Sequence, residues 1–329
     1  MSQIAELWMP GPLAPALSEA IAQRYRVHQG WTVDDVPAYL REHGPRIRAI
    51  ATSGRHGADR ALIESLPALE AIISYGVGYD PIDVQAAHER GVAVSNTPGV
   101  LDACVADTAL ALLLAVSRRV CEADRFVRAG RWPSEGFGLG ASLAGKRCGI
   151  LGLGNIGLQI ARRAEAFGMQ VLYANRQPRP DAPAHYGYRP DAASLAQDSD
   201  WLVVAVPGGA GTRHLVDAGV LQALGPQGRL VNVARGSVVD EAALVQALQQ
   251  GTIAGAGLDV FEHEPQVPAA LMEMEQVVLL PHIASGTHET RQAMAELFLR
   301  NLHGWFERRE LATPVPQGSG APARAALSP

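Results

Sequence analysis

Cysteine is scarce in this chain, and the three present, Cys104, Cys121 and Cys148, share no CxxC spacing. An odd, scattered set builds neither a disulfide framework nor a thiolate metal cage, which points to a reducing cytoplasm and no metal site. Positive charge is not in excess either. A formal net charge of −5 offers no general attraction to nucleic acid or to an anionic membrane, so any anion site must be local. The longest apolar run, "ALALLLAV", is about half a membrane span and meets Arg118 and Arg119 at once, as a buried helix would. The opening "MSQIAELWMPGPLAP" lacks the basic residues of a signal peptide and meets prolines where its apolar stretch would continue.

What remains is a globular composition, 47% hydrophobic and 19% charged over 329 residues, with room for two domains. Short β-like runs alternate with helical patterns, which predicts parallel sheets covered by helices. "IAELWM", "YRVH", "RIRAIAT", "LEAIIS" and "VAVSN" form a first series. "CGILGLG", "QVLYAN", "WLVVAVP", "RLVNVA", "IAGAGLDV" and "VVLLPHI" form a second series of six. Between them, residues 98–132 read as two long helices, the first apolar on nearly every face and expected to lie buried between domains or subunits. The final helix, "THETRQAMAELFLRNLHGWFERRE", is left over after the second sheet and is expected to pack back on the first domain. From Ala312 the chain is rich in Pro, Ala, Gly and Ser and reads as a disordered tail, 312–329.

The second series opens with glycines 152, 154 and 157 between an apolar strand and an amphipathic helix. Three glycines at this spacing also occur in plain structural turns, but a strand before and a helix after favour a dinucleotide turn. Gly152 permits the tight bend, Gly154 lets a pyrophosphate approach the backbone, and Gly157 lets the helix lie close to the strand. Asn155 and Ile156 then present the N–H groups and positive dipole end of the helix to phosphate. NAD-selective sites carry an acidic residue about twenty positions on, which would repel a 2′-phosphate. Here Asn175 stands eighteen residues past Gly157, with Arg176 beside it. The pair favours NADP(H) over NAD(H), with Arg179 as a helper, unless Arg176 simply faces solvent.

Arg235, Glu264 and His282 each follow the carboxyl end of a successive strand, where open α/β sheets hold ligands. Reduction of a 2-oxo acid needs a cation for the carboxylate and carbonyl, and an acid for the developing alkoxide. A guanidinium suits the first task, and an imidazole beside a carboxylate suits the second. Taken singly, each residue also has an ordinary structural explanation, such as a helix cap or a surface charge. Their order behind a cofactor turn is what joins them.

With "GLGNIG", "NVARGSVVDEAAL", "GAGLDVFEHEP" and "LLPHIASGTHETR", and with "VGYDPID" and "VSNTPGV" upstream, the chain resembles the D-isomer-specific 2-hydroxyacid dehydrogenases from about residue 45 to 305. "YANRQPRP" and "SGTHETR" look most like the glyoxylate/hydroxypyruvate and 2-ketogluconate reductase branch, which favours NADPH. The resemblance implies an α/β protein of two doubly wound parallel-sheet domains, a Rossmann cofactor domain inserted into a flavodoxin-like substrate domain. The corresponding ranges are 1–98 plus 286–311 for the substrate domain and 99–285 for the cofactor domain, dimerisation helices included. It implies a homodimer with the substrate cleft between the domains, Arg235, Glu264 and His282 as the catalytic trio, and substrate held also by the Val77 and Gly78 amides and by Ser285. Thr108, Val206, Pro207, Thr212, Val233, Ala234, Asp259 and His282 match positions on the nicotinamide side. Asp259 alternatively caps a helix. Trp132 falls where some members reach into the neighbouring subunit, and Arg55 or His56 stands where a longer, hydroxylated substrate would be selected. "AVPGGAGTRHLVD" departs from the family in its glycines, a change expected to touch only a surface loop.

The expected activity is NADPH-dependent reduction of glyoxylate or hydroxypyruvate to the 2-hydroxy acid, with 2-ketogluconate as a near competitor. A nucleotide-sensing protein like the C-terminal-binding corepressors shares the trio, but this chain shows neither a basic targeting run nor a long regulatory extension. Phosphoglycerate dehydrogenase fits less well, because the NAD-type acidic residue is absent. Nothing in the sequence points to formate or phosphite oxidation.

Overall fold

The computed structural model describes residues 4–316. The chain divides into two compact units, one running to Leu101 and resuming at Thr287, the other Asp102–Gly286. In the first, β1 (Glu6–Met9), α1 (Pro15–Ala22), β2 (Arg26–Gln29), α2 (Val36–His43), β3 (Ile47–Ser53), α3 (Arg60–Glu64), β4 (Ala71–Tyr75), α4 (Val84–Glu89) and β5 (Ala93–Ser95) follow in alternation. The second begins with α5 (Asp102–Arg118) and α6 (Val120–Arg128). It continues through β6 (Arg147–Leu151), α7 (Asn155–Ala166), β7 (Gln170–Ala174), β8 (Gly187–Arg189), α8 (Ala192–Gln197) and β9 (Trp201–Val204). It closes with α9 (Ala218–Leu224), β10 (Arg229–Asn232), α10 (Glu241–Gln249), β11 (Gly255–Leu258), α11 (Ala269–Glu273) and β12 (Val277–Leu279). The long helix α12 (His288–Arg308) belongs to the first unit.

Each unit is built on one parallel sheet. The first has the order β2-β1-β3-β4-β5, the flavodoxin-like arrangement, and the second β12-β11-β10-β9-β6-β7-β8, a Rossmann order extended by one strand. In the first unit, Ile50 and Ile72 join the core under α2, α3 and α4, while Ala49, Ala51 and Ile73 face α1 and α12. This alternation follows from the two-residue period of a strand. Phe298 and Leu302 of α12 are fully buried in that second layer.

Aspartates start many of the helices. Asp35, Asp59, Asp83, Asp191, Asp217 and Asp240 each accept a hydrogen bond from the third residue of the helix that follows. Glycines in β11 serve a different end. A Cβ on Gly257 would lie 2.9 Å from Leu112 and one on Gly255 3.3 Å from Val116, so α5 rests directly on that strand. Inside its own unit α5 packs against α7 and the strands β10, β11 and β12.

Two expectations need correction. The second sheet has seven strands rather than six: "GYR" pairs with β7 as β8, a three-residue edge strand too short to carry a periodic signal. The segment expected to be a disordered tail from 312 is ordered as far as Pro316. Pro314 bridges Ser95, Val315 N–H donates to Val94 O at 2.8 Å, and the Val315 side chain is buried. Thr313 is held by Asn301 and donates to Asn96 O. This stretch covers the open edge of β5. Residues 317–329 of the expected tail lie outside the described residues. Among the described residues, no helix is long and apolar enough to cross a membrane.

Candidate active site

The glycine turn joins β6 to α7 at the strand-order reversal between β6 and β9. Gly152 has φ 101°, and a Cβ there would lie 2.8 Å from Val206 N. A Cβ on Gly157 would lie 2.1 Å from Gly152 O, so close approach of helix and strand requires both glycines. Gly154 is different, because a Cβ there would meet nothing within 4 Å. Unlike the aspartate-capped helices, α7 begins at Gly154 without a side-chain cap, which leaves its first-turn N–H groups at Asn155, Ile156 and Gly157 to outside acceptors. Open space above a bare helix start fits a pyrophosphate.

The residues expected at the adenosine end divide their work. Asn175 Oδ1 accepts from Leu153 N at 2.7 Å, so this side chain braces the glycine turn. Arg179 donates to Leu153 O at 3.0 Å and binds both oxygens of Asp181, at 2.7 and 2.8 Å. It is engaged, and the helper role expected for it needs those bonds to break. Arg176 is exposed and makes no hydrogen bond or ion pair among the described residues. Of these three side chains, Arg176 is the one without a partner among the described residues.

Arg235, Glu264 and His282 follow β10, β11 and β12, which are direct neighbours in the sheet. Arg235 stands in extended backbone, and its Nη1 donates to Ala234 O at 2.8 Å. Asn232 stitches this bend, with Oδ1 accepting from Ala234 N and Nδ2 donating to Arg235 O, both at 3.0 Å. Glu264 Oε1 accepts from Phe261 N at 3.1 Å, while Oε2 lies 2.7 Å from His282 Nδ1. Burial pushes the Glu264 carboxyl up. The His282 hydrogen bond and charge, the Phe261 amide and the nearby Arg235 outweigh it and hold the group below the usual carboxylate range. The carboxylate thus feels both other members of the trio.

His282 adopts a left-handed backbone, φ 54°, at a cost of roughly 1–2 kcal/mol for a residue with a Cβ. Asp259 meets that cost. Its carbonyl accepts from His282 N at 2.9 Å, and its two carboxylate oxygens accept from Ile283 N at 2.7 Å and Ala284 N at 2.9 Å. Asp259 is 0% exposed, and burial lifts its carboxyl above the ordinary value although both amides pull the other way. Asp259 thus clamps the His282 loop, and the amides it holds do not start a helix. Thr108 Oγ1 reaches Ala284 O at 3.3 Å and ties α5 to the same loop, in which Ser285 is half-buried. Val233 and Ala234 are buried in the β10 bend, and Thr212 Oγ1 donates to Pro207 O at 2.7 Å in the loop after β9.

The first unit offers a separate group of loops. Val77 and Gly78 follow β4, and their N–H groups make no hydrogen bond among the described residues. The loop itself is braced, because Gly76 N donates to Thr97 Oγ1 at 3.0 Å and Asn96 Nδ2 to Val77 O at 2.7 Å. Ser53 pairs with Tyr75, so the loop carrying Arg55 and His56 rises beside it. His56 Nδ1 lies 3.1 Å from Ser53 Oγ, and its ring lies over Gly11, where a Cβ would be 2.2 Å from Cδ2. Burial, and then the Arg55 charge, keep this imidazole below its ordinary pKa. Arg55 is exposed, and so is Trp132, at 68%.

Sequence reasoning missed Asn232 and Gly236. Asn232 left one signal, an amide inside an otherwise apolar strand. Gly236 left none in its own neighbourhood: a Cβ there would lie 1.9 Å from the Phe261 carbonyl carbon, a contact with a residue twenty-five positions away.

An uncapped glycine turn at the switch point, with a guanidinium and a carboxylate-bound imidazole on successive strands, defines a pyridine-nucleotide dehydrogenase. The profile described as "D-isomer specific 2-hydroxyacid dehydrogenase, NAD binding domain" matches residues 110–284, and the chain belongs to that family. It is 47% identical over 304 residues to a glyoxylate/hydroxypyruvate reductase of Arabidopsis thaliana, covering 92% of this chain and 96% of that one. A 2-ketogluconate reductase of Gluconobacter oxydans is 43% identical over 315 residues, covering 96% and 100%. Among solved structures, an NADPH-dependent glyoxylate/hydroxypyruvate reductase from Sinorhizobium meliloti, in complex with NADP and malonate, superposes with a TM-score of 0.89 at 44% identity, covering 99% and 100%.

Proposed function

We propose that this chain is an NADPH-dependent reductase of small 2-oxo acids, with glyoxylate and hydroxypyruvate as first substrates and glycolate and D-glycerate as products. The observation that carries the reading is the 2.7 Å contact between Glu264 and His282, with Arg235 close enough to lower the carboxyl pKa further. The uncapped α7 turn and Arg176 would hold NADPH, which when bound would supply the hydride. Glu264 orients the His282 ring through Nδ1 and leaves the other nitrogen to give the oxygen its proton. Arg235 draws on the carbonyl and binds the carboxylate. Ser285 adds a hydroxyl close to His282.

The identity with a 2-ketogluconate reductase supports a second substrate reading, in which Arg55 and His56 meet the hydroxyls of a sugar acid. The reading extends to a cytoplasmic homodimer. Three scattered cysteines with no CxxC spacing support the first part. Exposed Val120 and Val127, two turns apart on α6, and the exposed Trp132 and Leu139 support the second. A panel of glyoxylate, hydroxypyruvate, pyruvate and 2-ketogluconate, each run with NADPH and NADH, tests the activity. No NADPH oxidation with any of the four would remove it.

A further inference from the structure

The peptide that carries Glu264 has a second attachment, which none of the roles above uses. Glu262 lies two residues before Glu264, and its side chain is only 10% exposed. Its Oε1 accepts from Arg213 Nη2 at 2.6 Å and lies 2.9 Å from His214 Nε2. Burial pushes this carboxyl up, but His214 and then Arg213 outweigh burial and hold it below the usual range, so the group is ionised at neutral pH. Its backbone N–H is directed at Glu241 Oε2, 3.4 Å away at the start of α10.

Arg213 and His214 end the loop that leaves β9. This is the loop in which Val206 backs Gly152 and Thr212 closes on Pro207. His214 has φ 50°, a backbone that residues with a Cβ seldom adopt, and its N–H donates to Ser237 O at 2.8 Å in the turn after Arg235. The loop is thus pinned at one residue from two sides, by Ser237 through the backbone and by Glu262 through the side chain. The Phe261–Glu262 peptide is equally committed. Phe261 N–H, one peptide earlier, holds Glu264 Oε1, and the Phe261–Glu262 peptide itself packs on Gly236, the neighbour of Arg235.

We propose that Glu262 is a positioning residue for the reaction. Its carboxylate locks the β9 loop, on the cofactor side, to the peptide that orients the Glu264–His282 pair, so that the two move as one body. The proposal rests on the trio being the reacting groups. Geometry of this kind matters because a misplacement of about 1 Å in a reacting group costs roughly a hundredfold in rate.

The test is Glu262→Ala against Glu262→Gln, whose amide oxygen can accept from the same two donors. The alanine variant should lose about tenfold or more in kcat with glyoxylate, with the NADPH dissociation constant changed by less than about threefold. The glutamine variant should recover to within about threefold of wild type. Arg213→Ala removes one of the two donors at a side chain 56% exposed, where folding is not at risk, and should give an intermediate loss. Amide exchange in the cofactor-free protein supplies a readout independent of turnover: Phe261 and residues 212–214 should speed up together in Glu262→Ala. Unchanged kcat, a glutamine variant as slow as alanine, or faster exchange confined to 212–214 would each overturn the proposal. A wild type that reduces no 2-oxo acid would instead remove the activity itself, and the exchange result would still decide whether the clamp exists.

Discussion

Gly236 is packed so tightly on Phe261 that a single methyl group would lie 1.9 Å from its carbonyl carbon and 2.0 Å from its oxygen. The loop bearing Arg235 and the loop bearing Glu264 meet here backbone to backbone, and glycine is the residue that permits it. Gly236→Ala must push the two apart. It should destabilise the protein by about 1–3 kcal/mol, as overpacking does, and lower kcat more than tenfold. Urea unfolding together with steady-state kinetics would check this, and an alanine variant with wild-type values for both would show that the contact does not matter.

His282→Ala removes the proton donor and leaves the glycine turn untouched. A loss of about 10²–10⁴ in kcat is expected, with NADPH binding changed by less than about threefold. Stopped-flow turnover beside fluorescence titration of NADPH separates the two, and retention of wild-type kcat would transfer the acid's role to another group.

Arg176 carries a guanidinium with no partner in the described structure, whereas Arg179 is held by Asp181. Arg176→Ala should therefore raise KM for NADPH about tenfold or more while leaving KM for NADH within about twofold. Equal changes for the two cofactors would place the side chain away from the extra phosphate.

The Glu264 carboxyl is held below its ordinary range in the folded state, which sets the sign of its pH dependence. Stability from this group is fully present above the unfolded value of about 4.3 and is lost as pH falls through the lower folded value. Compared with Glu264→Gln, the wild type should hold a constant margin between about pH 5 and 6 that shrinks below about pH 4. The side chain is 34% exposed, so solvent screening keeps the margin modest. Urea unfolding along a pH series measures it, and a margin that grows on acidification contradicts the assignment.

The strap over β5 makes a prediction about the chain end. Ending the chain after Leu311 removes the buried Val315 and the hydrogen bonds of Thr313. A loss of about 2–4 kcal/mol is expected from one buried valine and the bonds that go with it. Denaturant unfolding of the truncated protein checks this, and an unchanged midpoint would show that the strap is not needed.

Much of this architecture could be read in one dimension. Strands buried on both faces show as short apolar runs, and β6, β9 and β10 are such runs. Arg235, Glu264 and His282 were legible because each stands just past such a run, and parallel strands bring their carboxyl ends to one edge. β8 escaped notice because three half-buried residues carry no period. Thr313 and Val315 were misjudged because a segment rich in proline and alanine reads as loose until an open strand edge accepts it.

Local patterning, which depends on side-chain size and polarity along a few turns of chain, sufficed for parallel sheets covered by helices, the glycine turn and the types of residue at the strand ends. The working roles of Asn175, Asp259, Glu262 and Gly236 were decided only in three dimensions. Each depends on a hydrogen bond or backbone contact with residues some twenty or more positions away. Such contacts leave no trace in local composition, because what specifies them is the space and the unpaired amides that another part of the fold presents.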